Sequence, residues 1–459
     1  MVQQEKIYGY LPDESPSFWK LVLFAFQQIV VMFPATVIVA LLTGFQVSTT
    51  IFASGFATIC FILITKRQIP LYYGSSFSYI AAIASITLVN ENPNVPDILI
   101  SHAQFGIILS GLVSIVAGLI VKRFSINAIE KVLPPTITGP IAIIIGLSLA
   151  GSAMGDPQNV ALLKGASENL ALAQNLGWII AFITLLSTII FSVYIKKGTW
   201  GQIPILLGLV TGYLSALLLG SIFDIGFVDF SLMSGKEIFE IPHFTFPKAS
   251  WDAVLAIMPI AIATIPESTA HLCQLDIYVN KLAEEKNSPK RYKLADKLGL
   301  NLIGDGLGDI VSGAIGGPAG TNYGENISTM SITKNFSVKV LMAAAIITMM
   351  ISFVTPVSAA VYSIPKAVIG GLSIYLFGVI AIQGIAIMID KKVDLFDSKN
   401  LAVIAVILIV GLGGSMAYEG NLIPMFGFKA PAIATAAILG ILLNLFFLLI
   451  DKLKLKSSK

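Results

Sequence analysis

Apolar runs of about 17 to 25 residues recur along the whole chain with no long polar domain between them. Each is long enough to cross roughly 30 Å of hydrocarbon as a helix. Lipid satisfies no backbone hydrogen bond, so the pattern restricts the chain to a polytopic helical membrane fold. Clear runs begin near Phe18, Val47, Ser101, Val132, Leu176, Gln202, Trp251, Leu298, Val338, Lys366, Asn400 and Pro431, and two weaker ones near Leu71 and Gly320. The expectation is an all-α polytopic membrane protein of fourteen transmembrane segments. With 56% hydrophobic and 12% charged residues, the chain has too little polar surface to coat a soluble domain.

An even number of crossings leaves both termini on one side. Taking that side as the cytoplasm assigns to it every Lys and Arg of the 29 except Lys164, Lys236, Lys248, Lys366 and Lys429. That is the bias the positive-inside rule requires. The net charge of +3 is then an orientation signal, and no nucleic-acid partner is expected. The reading is a multi-pass protein of the cell (inner or plasma) membrane, embedded in the lipid bilayer, with both termini cytoplasmic. Charges and two prolines precede Phe18, so no cleaved signal peptide is expected. Cys60 and Cys273 have no spacing that suggests a disulfide framework or a metal site.

Two similar phrases, LYYGSSFSYIAAI around Tyr73 and TNYGENISTMSITK around Tyr323, fall in the third segment of each half. A second echo joins the fifth segments, each with a proline five residues before a glycine: Pro134 and Gly139, Pro365 and Gly370. Seven segments per half is an odd number, so the second copy is inserted upside down, the inverted-repeat plan of secondary transporters. From Glu325 to Phe336 a helix reaches about 18 Å, roughly half the hydrocarbon. Before it, as before its counterpart, stand proline, glycine, tyrosine and threonine, which disfavour helix interiors. Segments 3 and 10 are therefore read as a short strand running to the midplane followed by a half-helix. Such backbone is tolerated at that depth only under cover of protein or beside a cavity, so the two strands are expected to meet.

The half-helices would begin near the midplane with unpaired N–H groups and partial positive charge. Ser75 and Ser76 before the first, and Asn326 or Ser328 at the second, are residue types that cap such starts. Glu325 adds an acceptor, and Glu267 lies midway along the eighth segment with His271 one turn later on the same face. Ionisable residues at span depth mark a pathway or relay. A histidine there also serves by bonding a backbone carbonyl, and Asp305 and Asp309, among glycines in the ninth segment, fit close helix packing. Donors from helix starts together with carboxylate acceptors suit a flat neutral ring of alternating N–H and C=O groups, such as uracil or the matching edge of xanthine. A free anion would be repelled by two glutamates. Phe77 and Tyr323 offer aromatic surface for stacking.

The stretch GGPAGTNYGENISTMSITKNFS resembles the signature of the nucleobase-ascorbate transporters, also called the nucleobase:cation symporter-2 family, closest to its uracil/xanthine permease branch. LLTG after the first segment, GSSFSYI in the third and the Glu-x-x-x-His pattern at Glu267 extend the likeness over nearly the whole chain. The resemblance implies a core domain of segments 1 to 4 and 8 to 11 (residues 1–124 and 249–357) and a gate domain of segments 5 to 7 and 12 to 14 (125–248 and 358–459). It implies proton-coupled nucleobase uptake and a homodimer formed through the gate domain. Substrate contacts would come from Glu267, Glu325, Gly324, Phe77 and Tyr323, proton coupling from Glu267, His271 and Glu325, and a supporting network from Asn326, Thr333, Ser76 and Gln28. Two departures stand out: Ser328 occupies a position that is glycine in the pattern, and Gln27-Gln28 replaces the usual Gln-His.

The function expected is therefore uptake of uracil, not enzymatic catalysis. A xanthine or urate permease of the same family is the nearest alternative, and an anion exchanger of the sulfate-transporter fold is disfavoured by the two carboxylates. An intramembrane enzyme lacks a His-Glu-x-x-His pattern or a nucleophile beside His271. No cofactor or bound metal is expected, the proton serving as coupling ion with sodium left open.

Overall fold

The computed structural model describes residues 9–89, 94–124, 134–161, 163–195, 203–229, 237–418, 421–425 and 428–457. The expected segment starts at Val132 and Gln202, and Lys6, Lys131, Lys196, Lys197, Lys236 and Lys459 of the charge count, lie outside them. Fourteen helical segments follow in chain order. They are α1 (Phe18–Thr43), α2 (Val47–Ile64), α3 (Ile80–Thr87), α4 (Asp97–Phe124), α5 (Pro135–Gln158), α6 (Leu170–Tyr194), α7 (Pro204–Phe223) and α8 (Trp251–Glu285). Then come α9 (Leu298–Ile315), α10 (Gly324–Thr333), α11 (Val338–Ile351), α12 (Lys366–Asp390), α13 (Ser398–Ala417) and α14 (Ala432–Ser457). Ten of them are long and apolar enough to cross a membrane; α3, α9, α10 and α11 are the shorter or more polar ones. A short helix, Thr355–Tyr362, precedes α12.

The third and tenth segments have the expected form. Strand β1 (Tyr73–Ser75) pairs antiparallel with β2 (Gly320–Asn322), with Tyr73 opposite Asn322, Gly74 opposite Thr321 and Ser75 opposite Gly320. Each strand leads into its half-helix, β1 through a 3-10 turn at Phe77–Tyr79 into α3, and β2 into α10. The outer edges of this pair would carry unpaired backbone groups at a depth without water. Thr58 of α2 meets one edge, donating to the Tyr73 carbonyl (2.9 Å) and accepting from its N–H (3.1 Å). Asp309 of α9 meets the other, accepting from Gly320 N–H at 2.8 Å. The strands approach so closely that a Cβ at Gly74 would lie 2.4 Å from the Tyr323 ring.

Helix α9 packs on α4 through small residues: a Cβ at Gly111 would stand 2.4 Å from the Gly306 carbonyl. One buried apolar cluster draws chiefly on α1, α2, β1, α8 to α11, with Met32, Phe61, Tyr73, Leu275, Leu302, Ile327 and Leu341. Another draws on α6, α7, the start of α12 and the segments that follow α5 and α7. A third joins the two sets at the end of the bundle where α8 begins: Ile83, Ala103 and Ile257 pack with Ile141, Ile145, Phe377 and Ala437. Towards the opposite end the sets separate around a crevice of about 220 Å³, lined by Pro266, Cys273, Ile387 and Lys391 among others.

At that opposite end the segment before α1 straps the ends of α8 and α10 together. Tyr10 N–H donates to the Lys334 carbonyl, Phe336 N–H returns a bond to Tyr10 (both 2.8 Å), and Glu14 and Asp13 pair with Lys286 and Lys290 at 2.5 and 2.6 Å. A hairpin, β3 (Leu422–Met425) with β4 (Phe428–Pro431), links α13 to α14 and was not foreseen.

Candidate substrate-binding site

The strand pair and the two half-helix starts border a cavity of about 350 Å³. Phe77, Glu267, His271, Tyr323, Gly324 and Glu325 all line it. These residues come from three segments far apart in sequence, and the β1–β2 pairing brings two of those segments together.

Glu325 stands in the first turn of α10, where the helix dipole favours a negative charge. Glu267 reaches the cavity because α8 runs past the mouth of the strand pair, and Ser78 donates to its Oε2 at 3.4 Å. The ring of His271 lies against Gly324: a Cβ there would fall 2.8 Å from Nε2. The Nδ1 of that ring is buried with no hydrogen-bond partner among the described residues.

Three expectations change. Ser76 caps the first half-helix as expected, accepting from Ser78 N–H at 3.3 Å. At α10, however, Tyr323 holds the capping position without a side-chain bond. Asn326 is instead turned away to Gln28, donating to its carbonyl (3.1 Å) and to Oε1 (2.8 Å), and Ser328 lies exposed on the cavity. The uncapped start leaves donors facing the cavity. Thr333 bonds only within α10, to the Thr329 and Met330 carbonyls, and does not reach the Gln28–Asn326 pair. The ring of Tyr323 is packed over Gly74 with its hydroxyl tied to the Ser75 carbonyl and Thr36, so the half-buried Phe77 is the accessible aromatic surface.

Several lining residues escaped the sequence reading. Ser78 and Gln274 border the cavity, and Gln383 of α12 is the polar side chain that faces it from the other set of helices. Glu267, His271, Gln274, Tyr278, Lys281 and Glu285 recur every three or four residues on one face of α8. Gln274 donates to Tyr278 at 3.1 Å. That spacing inside an apolar run was the available signal. Ser328 and Gln383 are exposed and lie nearer the Glu285 end, so the cavity opens that way and is sealed by apolar packing at the other. Among the described residues no group of three or more His, Cys, Asp or Glu gathers as a metal centre.

The profile of a family described as Permease family, that of the xanthine and uracil permeases, matches residues 19–420. The chain belongs to this family, the nucleobase-ascorbate transporters. Its relatives include the uracil permease of Bacillus caldolyticus, 36% identical over 94% of this chain and 93% of that one. The uracil permease of Bacillus subtilis (strain 168) is 33% identical with the same coverage. Among solved structures, the murine Slc26a9 anion transporter in its inward-facing state superposes with a TM-score of 0.64 at 12% identity, covering 98% of this chain and 70% of that one. That likeness shows a shared fold. The permease family and the multi-pass architecture make the protein a membrane transporter of this class.

Proposed function

We propose that the protein imports uracil together with protons. The observation that carries this reading is the convergence of Glu267 and Glu325, from different segments, on one cavity that also holds the uncapped start of α10. Ring N–H groups of the base donate to the carboxylates, ring carbonyls accept from the N–H of Gly324 and the backbone at Phe77, and Phe77 stacks on the ring. A proton held among Glu267, His271 and Glu325 offsets one of the two charges that would otherwise repel each other in a low dielectric.

Segments 1 to 4 with 8 to 11 form the core that carries the base, and segments 5 to 7 with 12 to 14 form the gate, which also mediates a homodimer. The Glu285 end, with Lys281, Lys290 and Lys334, faces the cytoplasm by the positive-inside rule. On this orientation the shared apolar cluster closes the outer side, and the cavity is open inward. Rocking of core against gate would exchange the seals and return the site to the outside.

The test is uptake of radiolabelled uracil in cells lacking their own uracil transport, with and without a protonophore, and with xanthine, guanine and urate as competitors. Uracil uptake should be abolished by the protonophore and should fall to background in Glu267→Gln and Glu325→Gln. Wild-type uptake in either variant overturns the site assignment, and stronger competition by xanthine than by unlabelled uracil reassigns the substrate.

A further inference from the structure

Beside β2, Asp305 and Asp309 flank a void of about 10 Å³ that Ser114, Thr264, Ser268, Gly320 and Thr321 also line. The two carboxylates are 7% and 2% exposed, and no Lys, Arg or His lines the void. Asp309 spends one oxygen, Oδ1, on the strand edge, accepting from Gly320 N–H (2.8 Å) and the Tyr73 hydroxyl (2.5 Å). The equivalent edge of β1 is met by neutral hydroxyls alone, those of Thr58 and Ser54. A full negative charge is therefore more than strand pairing requires, and Oδ2 of Asp309 accepts no hydrogen bond among the described residues. Asp305 accepts from Ser268, Asn301 and Asn322.

Two further groups point to an occupant. The hydroxyl of Thr321, a residue 5% exposed that borders both this void and the large cavity, has no hydrogen-bond partner among the described residues. Ser114, 3% exposed, makes no hydrogen bond among the described residues. A void of this size holds about one water-sized particle. A proton on one aspartate would reduce the charge but, as a single O–H donor, would meet only one of the two hydroxyl oxygens. A divalent ion is ill suited, since magnesium keeps several waters and calcium takes about six to eight oxygens.

We propose that this void is a binding site for one dehydrated sodium ion, held by Asp309, Asp305, Thr321 and Ser114. Thr321 precedes Asn322, Tyr323 and Gly324 directly, so an ion that fixes β2 also fixes the start of α10. Sodium and nucleobase then favour each other's binding, by the same factor in both directions. This linkage rests on the proposed transport of a nucleobase; the ion site does not.

The experiment is thermal unfolding of the purified full-length protein in detergent at constant ionic strength, in sodium, potassium or choline chloride, each with and without uracil. Sodium should raise the Tm saturably where potassium and choline do not, and Asp309→Asn, Thr321→Val and Ser114→Ala should each remove the sodium shift. Sodium should also lower the uracil Kd of the wild type by about fivefold or more. A wild-type Tm indifferent to sodium, with the uracil shift intact, overturns the ion site and leaves the transport reading standing. A sodium shift without any uracil shift does the reverse. If Asp309→Asn does not fold, Ser114→Ala decides, because it removes one oxygen from α4 without touching the strands; an unchanged sodium shift in that variant and in Thr321→Val overturns the site. A larger shift with calcium or magnesium overturns the choice of a monovalent ion.

Discussion

His271 and Gly324 are in direct contact across the cavity floor: the imidazole Nε2 occupies the space into which a Cβ on Gly324 would project, 2.8 Å away. The absence of a side chain at the first residue of α10 lets α8 approach closely enough for Glu267 and Glu325 to share one pocket. Gly324→Ala should therefore displace the ring, lowering stability by about 1 to 3 kcal/mol and reducing uracil uptake more than tenfold. Adding His271→Ala should recover the Tm and not the uptake. Thermal unfolding and initial uptake rates of the two variants check this; an unaltered Tm in Gly324→Ala contradicts it.

Gln28 and Asn326 fix α10 against α1. Both are buried, and the Asn326 amide donates to the Gln28 carbonyl and to Oε1. Gln28→Ala deletes one of the two acceptors and leaves a small void, for a loss of about 1 to 2 kcal/mol. The Tm should fall by a few degrees with uptake reduced rather than abolished, because neither residue lines the cavity. Complete loss of uptake with a normal Tm would instead assign Gln28 a part in transport itself.

Cys273 reports which end is open. It is exposed in the crevice between α8, α5 and α12, whereas Cys60 is half-buried in α2. A membrane-impermeant maleimide applied to inside-out vesicles should label Cys273 at least several-fold faster than Cys60, and labelling from the outside should be slow. Equal rates from both sides would contradict the orientation proposed above.

The strap before α1 has a pH dependence of definite sign. Burial pushes the Asp13 carboxyl up, but hydrogen bonds from Lys290 and Tyr292 outweigh it and hold the group below the usual 3.8 of an aspartate. A carboxyl depressed by folding contributes stability above its unfolded pKa and loses it as pH falls through the folded value. The contribution is small, about 0.2 to 1 kcal/mol, because Asp13 and Lys290 are half exposed. Hydrogen exchange at Tyr10 and Phe336, corrected for intrinsic rates, should be level from pH 8 to about 5 and quicken below about 3.8. Lys290→Ala should quicken it a few-fold at neutral pH. Protection unchanged by the substitution and constant below pH 3 would show that the backbone bonds alone hold the strap.

By itself the sequence determined how many times the chain meets the membrane, that segments 3 and 10 are strand and half-helix, and that Glu267 and Glu325 lie at span depth. These follow from local rules: hydrocarbon thickness sets segment length, proline and glycine end helices, and a charge in lipid needs a reason. Only the tertiary structure decided that Asn326 turns to Gln28 instead of capping α10, that Gln383 faces the site, and that Asp309 closes the edge of β2. Those are contacts between residues far apart in the chain, and nothing in either local stretch encodes the partner. Which end of the cavity is sealed lies beyond the sequence for another reason. In the proposed rocking of core against gate both arrangements use the same helices, and the end sealed here is the one where Ile83, Ile257, Ile145 and Phe377 pack together.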